Sequence, residues 1–192
     1  MDSAPVPFGD DSEQAAHALR VVMFAMATLA ELRERRHEIG AHSHTHLDCA
    51  RDPLWKIERD IGENLVGLSE AGHDGTVSAF AFPYGETSYA AKRWIGDVFA
   101  TGRGVLAGVN RGEVDRSQLH AVELGTSEMH RRRALAALKL CLAQKGWLFF
   151  FTHDVGASPT DYGAPTDFIE ELAARAADAG AVLAPPTLDR KS

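Results

Sequence analysis

Cysteine is scarce in this chain: Cys49 and Cys141 are the two among 192 residues. Two thiols cannot form a disulfide scaffold, so the fold must rest on a hydrophobic core, and such sparse usage suits a reducing compartment. Long apolar runs are missing as well. The stretch VVMFAMATLA at 21–30 is about half the ~20 residues that a membrane-spanning helix requires. Positive charge is not in excess. The formal net charge of −7 argues against a general binder of nucleic acid or of anionic membranes. The local run Arg131-Arg132-Arg133 reads as a solvated helix face rather than a phosphate site. The N-terminal MDSAPVPFGDDSEQ has neither the basic start nor the apolar centre of a secretory leader, so the expectation is a cytoplasmic protein. No repeat or low-complexity tract is present. With 45% apolar and 24% charged residues, residues 1–192 have the composition of one globular domain, opening with coil over 1–14.

Short apolar stretches alternate with helical ones. TLAELRERR predicts a helix with Thr28 as N-cap, while RVVMFAM before it suits either a strand or the preceding helix. HEIGAH (37–42) reads as a short buried strand. Asp52 and Pro53 predict the N-cap and first position of a helix that Gly72 ends. TVSAFAF (76–82) reads as a strand stopped by Pro83, SYAAKRWIG (88–96) as a helix, and DVFATG (97–102) as a strand. A Gly- and Arg-rich loop covers 103–117, and LHAVEL (119–124) is a further strand. Ser127 predicts the cap of a helix from Glu128 to about Gln144, with Gly146 just beyond. WLFFFTH (147–153) has the unbroken apolar character of a strand buried on both faces. A helix over about 167–178 and a short strand AVLAP close the chain. This alternation predicts an α/β fold with a parallel sheet or a (β/α) barrel.

In such folds the chemistry collects where strands end. Three predicted strand ends carry polar motifs: HSHTH, PYGE and THD. The segment HEIGAHSHTH places four of the chain's nine histidines in ten positions. Imidazole is the commonest protein metal ligand. His42 and His46 lie four apart and would meet across a turn, whereas an extended strand would align His42, His44 and His46. The His-Glu-x-x-His pattern of zinc proteases is not formed, since His42 falls one residue too far from His37-Glu38. Two imidazoles leave a catalytic zinc site short of its third ligand, often a carboxylate. His153, at the end of the most apolar strand, is placed to protonate a leaving group. FPYGE (82–86) reads as a turn, and a rigid turn beside a metal could aim a backbone N–H at a developing oxyanion.

Taken in order, these motifs resemble the polysaccharide deacetylase family, carbohydrate esterase family four. ERRHEIGAHSHTH is similar to its Gly-His-Glu-Ile-Gly-x-His-Ser/Thr-x-x-His segment, with Arg36 where glycine is usual. FAFPYG is similar to its Arg-x-Pro-Tyr motif, and FFTH to its Leu-x-His motif. The resemblance spans roughly residues 28 to 184. It implies a distorted parallel (β/α) barrel and a divalent metal, commonly Zn²⁺, held by two histidines and an aspartate. It makes His42 and His46 the metal ligands and excludes His44. It gives Tyr84 the oxyanion-binding N–H and His153 the role of acid. The substrate it implies is an acetylated saccharide.

Three departures stand out. The family's opening strand ends in Thr-Phe-Asp-Asp and supplies the base and the third ligand; this chain has no clean match. The Asp10-Asp11 pair in PFGDD lies about thirty residues before His42 with no apolar strand ahead of it, so the first strand is expected to be missing. Asp11 is then the carboxylate that the chain itself could bring to the metal. Ala81 stands where the family has arginine, and no Asp-x-x-Asp-Trp motif is visible. The leading expectation is N- or O-deacetylation of a carbohydrate by metal-dependent hydrolysis. The alternatives are a degenerate glycan- or metal-binding domain of the same fold, and a His-x-His amidohydrolase or phosphoesterase.

Overall fold

The computed structural model describes residues 29–32 and 34–185. The expectations for residues 1–14, for RVVMFAM and for Thr28 as a cap lie outside the described residues, as do Asp10 and Asp11. The first described helical turn closes with bonds from Arg35 N to Glu31 O and from His37 N to Leu32 O. Arg36, between them, takes the left-handed conformation with φ 61°. That is the C-terminal cap position that favours glycine, and it accounts for the glycine usual there in the family.

Helix α1 (Leu54–Glu70) begins one residue later than the Asp-Pro pair predicts, with Pro53 as its N-cap. Asp52 does not cap it. Its carboxylate instead receives Lys56 Nζ at 2.6 Å and Asp48 N at 3.2 Å. Ala71 ends the helix and Gly72 follows at φ 88°. Strand β1 (Ala79–Ala81) runs to Phe82 and the 3₁₀ turn Pro83–Gly85. Helix α2 (Tyr89–Val98) is capped by Ser88, whose side chain accepts from Ala91 N, and extends through Val98, so the strand expected at 97–102 is shortened. The chain must still descend through buried Phe99 before β2 (Thr101–Arg103) can pair.

Strand β3 (Val122–Glu123) leads to helix α3 (Glu128–Gln144), which Ser127 caps as predicted by accepting from His130 N. Its left-handed C-terminal residue is Lys145 (φ 52°), not the adjacent glycine. Gly146 serves close packing instead: a methyl there would lie 2.4 Å from Val109 Cγ1. Strand β4 (Phe150–Phe151) is half-buried rather than covered on both faces. Short β5 (Val155–Gly156) and β6 (Ala164–Pro165) precede α4 (Thr166–Asp178). Residues 181–185 are not a strand, because among the described residues they have no neighbour to pair with.

Strands β1 and β2, β3 and β4, and β5 and β6 form three parallel pairs. Single parallel bridges, Ala41 to Phe80 and Arg103 to Leu119, link the first two pairs and the histidine segment into one open arc. Parallel strands joined by helices fit the expected α/β class, but no closed barrel forms among the described residues. Two clusters hold the arc to its helices. Phe80, Phe82, Ile57, Ile61, Ile95 and Phe99 anchor the first, and Val122, Leu124, Leu138, Phe168 and Leu172 the second. No described helix is long and apolar enough to cross a membrane.

Candidate functional site

Parallel pairing fixes where the motifs meet. His42 follows the Ala41 bridge, Pro83-Tyr84 follows β1, Arg103 ends β2 and His153 follows β4, so all four emerge at the C-terminal end of the arc. Beneath them lies a cavity of about 270 Å³, lined by Ala41, His42, Ala81, Arg103, Leu119 and Phe150 among others.

The His42 and His46 rings meet edge-on with centroids 4.9 Å apart, and the His46 and Tyr84 rings do so at 4.7 Å. His42 Nδ1 lies 2.7 Å from the Ala81 carbonyl oxygen, so Nδ1 carries the proton and donates it. The neutral ring then keeps its lone pair on Nε2, the tautomer that metal-binding histidines adopt when the other nitrogen is anchored. Desolvation holds the His42 pKa below its usual value, against the opposing Ala81 bond, and the charges of His46, Arg103 and His153 lower it further. His153 is thus close enough to be felt at His42. Its backbone N–H bonds Tyr162 O at 3.2 Å, and its exposed ring contacts the Tyr162 ring at 5.6 Å.

Three non-glycine residues of the site have left-handed backbones: Ser43 (φ 65°), His46 (φ 57°) and Tyr84 (φ 59°). Such conformations cost roughly 1–3 kcal/mol each and collect at functional sites when the surroundings over-determine them. For Tyr84 the constraint comes from buried Pro83 and Gly85 on either side and from the Phe82 N to Arg103 O bond. For the histidine loop it comes from α1. Asp60, 5% exposed, accepts from His44 N at 2.7 Å and from Thr45 Oγ1 at 2.6 Å. Its two oxygens share the Thr45 N–H at 3.3 and 3.2 Å. Asn64, one turn on, accepts from His42 N at 3.2 Å. Burial alone would raise the Asp60 pKa, but the Thr45 and His44 bonds outweigh it and hold the carboxyl below its usual value.

Asp60 and Asn64 were missed in the sequence reading. Their signal was two polar residues four apart beside Ile57 and Ile61, on a face that ought to be wholly apolar. Arg103 was missed too. It stands in register with Ala81, and its guanidinium lies over the Phe151 ring at 4.9 Å. Asp154 ties the loop after His153 by accepting from Thr160 Oγ1 at 2.6 Å and Thr160 N at 3.0 Å. No group of three or more His, Cys, Asp or Glu side chains suited to a metal occurs among the described residues. The structure therefore brings His42, His46 and Tyr84 into contact and His153 to the same end, while His44 contributes its backbone N–H to Asp60.

The class so defined is an α/β protein whose imidazoles collect at the open ends of parallel strands. Residues 12–96 match the family model for polysaccharide deacetylase. The match takes in His42, His46 and Tyr84 and stops short of His153. No curated protein matches the chain.

Proposed function

We propose that the chain is a metal-dependent hydrolase that removes N- or O-linked acetyl groups from a carbohydrate. The observation that carries this reading is the 2.7 Å bond from His42 Nδ1 to the Ala81 carbonyl, which leaves Nε2 unprotonated beside His46. The donor set fits a divalent metal of the zinc type, which when bound polarises a carbonyl and supplies hydroxide near neutral pH. His42 and His46 would hold it, with Asp11 as the chain's own candidate for the third place.

The protein's part is then orientation and proton handling. The Ala81 carbonyl locks the His42 tautomer, and desolvation keeps that ring neutral. Tyr84, set by its left-handed backbone, would offer its N–H to the oxygen on which charge develops. His153 gives a proton to the departing amine or alcohol. A non-catalytic glycan- or metal-binding domain is the second reading, favoured by the lack of a third ligand among the described residues.

The test has two arms. Zinc retained after dialysis should fall steeply in His42→Ala and His46→Ala and persist in His44→Ala. Acetate release from an acetylated chitooligosaccharide should stop on chelation and return with zinc. Equal zinc loss from His44→Ala, or chelator-insensitive turnover, refutes the proposal. Zinc and glycan binding with no acetate released establishes the second reading.

A further inference from the structure

We infer that Asp60 is the positioning residue of the histidine loop: its carboxylate, acting from α1, sets the His42 and His46 rings in their paired geometry. The inference rests on the metal-binding reading above and adds to it a residue that lies outside both histidine motifs.

The loop cannot hold this shape by itself. Between Ala41 and Leu47 it contains two left-handed residues, Ser43 and His46, neither of them glycine. An L-residue resists that conformation, so an outside group must hold it. Asp60 meets the need. It is nearly buried, it engages His44 N, Thr45 N and Thr45 Oγ1, and no Lys or Arg pairs with it among the described residues. Its charge is therefore directed at the two residues that separate Ser43 from His46. An ionised carboxylate only accepts hydrogen bonds, which matches a ring of donors. Asparagine, of nearly the same shape, would turn an NH₂ group against one of them.

The experiment compares Asp60→Asn, Asp60→Glu, Ile61→Val and His46→Ala in the full chain. Ile61 is buried on the same helix and touches the site only through packing, so Ile61→Val reports general destabilisation. In metal-free protein, proton cross-relaxation between the His42 and His46 rings, 4.9 Å apart, should be present in wild type and Ile61→Val and lost in Asp60→Asn. Zinc dissociation constants, from competition with a chromophoric chelator, should rise about tenfold in Asp60→Asn, the lower end of what losing a direct outer partner of a metal ligand costs, since Asp60 acts on the ligands through His44 and Thr45. Asp60→Glu should recover part of both. If Asp60→Asn does not fold, Thr45→Val removes the 2.6 Å bond alone and should show a smaller loss of the same kind. Unchanged cross-relaxation and zinc affinity in Asp60→Asn, with zinc lost in His46→Ala, overturns the role of Asp60 and leaves the metal reading standing. Zinc retained in His46→Ala overturns the metal reading, and ring cross-relaxation then decides on Asp60 by itself.

Discussion

A single methyl group added at Gly85 should be among the costlier small changes to this protein. Gly85 has φ 76° and directly follows Tyr84 at φ 59°. Alanine there incurs the left-handed penalty of roughly 1–2 kcal/mol. The methyl would also fall 2.2 Å from Val105 Cγ2, 2.5 Å from Cγ1 and 2.7 Å from Cβ. Rotating the valine does not relieve a clash with its own Cβ. Nor can the backbone withdraw easily, since Phe82 N bonds Arg103 O and a Cβ at Gly104 would meet Gly85 O at 2.9 Å. Overpacking of this sort costs about 1–3 kcal/mol. Together the terms give roughly 3 kcal/mol, or a melting temperature lower by about 6–12 °C for a chain of this size. Val105 is 40% exposed, so Val105→Ala alone should cost under about 1 kcal/mol. The two effects separate in a double-mutant cycle followed by urea unfolding. Gly85→Ala/Val105→Ala should relieve the two Cγ contacts while keeping the 2.7 Å Cβ contact and the backbone strain, a coupling of about 0.5–2 kcal/mol. Additive costs in that cycle, or a Gly85→Ala midpoint equal to wild type, would refute the packing argument.

Two further outcomes follow from the same geometry. Arg36→Gly relieves a left-handed arginine at a helix C-terminus; set against the greater freedom of glycine in the unfolded chain, the net gain should be about 0.5–1 kcal/mol. A thermal scan checks it, and an unchanged or lower melting temperature contradicts it. The second outcome concerns acid. The folded-state pKa of Asp60 is lowered, so its contribution is fully present above the unfolded-state pKa of about 3.9 and is lost as pH falls through the folded value. Urea midpoints of wild type and Asp60→Asn should accordingly differ most at pH 5–7 and converge toward pH 3. A constant gap across that range means that another group governs the acid limb.

Much of the site could be read from local pattern, because its parts lie at strand ends and strand ends are locally coded. His42 and His46 meet because the four-residue spacing closes over a turn, and Ser127 caps its helix through a bond only three residues long. What escaped were choices settled across the fold. Asp60 reads as one more charged helix residue until the loop sixteen positions earlier is laid on it. Asp52 has the chemistry of an N-cap but is drawn off by Lys56. AVLAP has strand composition, yet a strand exists only where another offers its edge, and no described segment does so. The same dependence explains why the arc of parallel pairs was readable as a class but not as a closed or open barrel.

The two hydrophobic clusters divide the labour of the site. The first, built on residues 41–99, supports His42, His46 and Tyr84; the second, built on residues 122–176, supports the strand that delivers His153. The segments between them are tied by thin links: the Arg103–Leu119 bridge, the Arg103 guanidinium over Phe151, and the Asn110–Trp147 pair. Cooperative units of this kind open and reclose with their own free energies. The half that carries His42, His46 and Tyr84 and the half that carries His153 can therefore open with different free energies, which amide exchange would resolve.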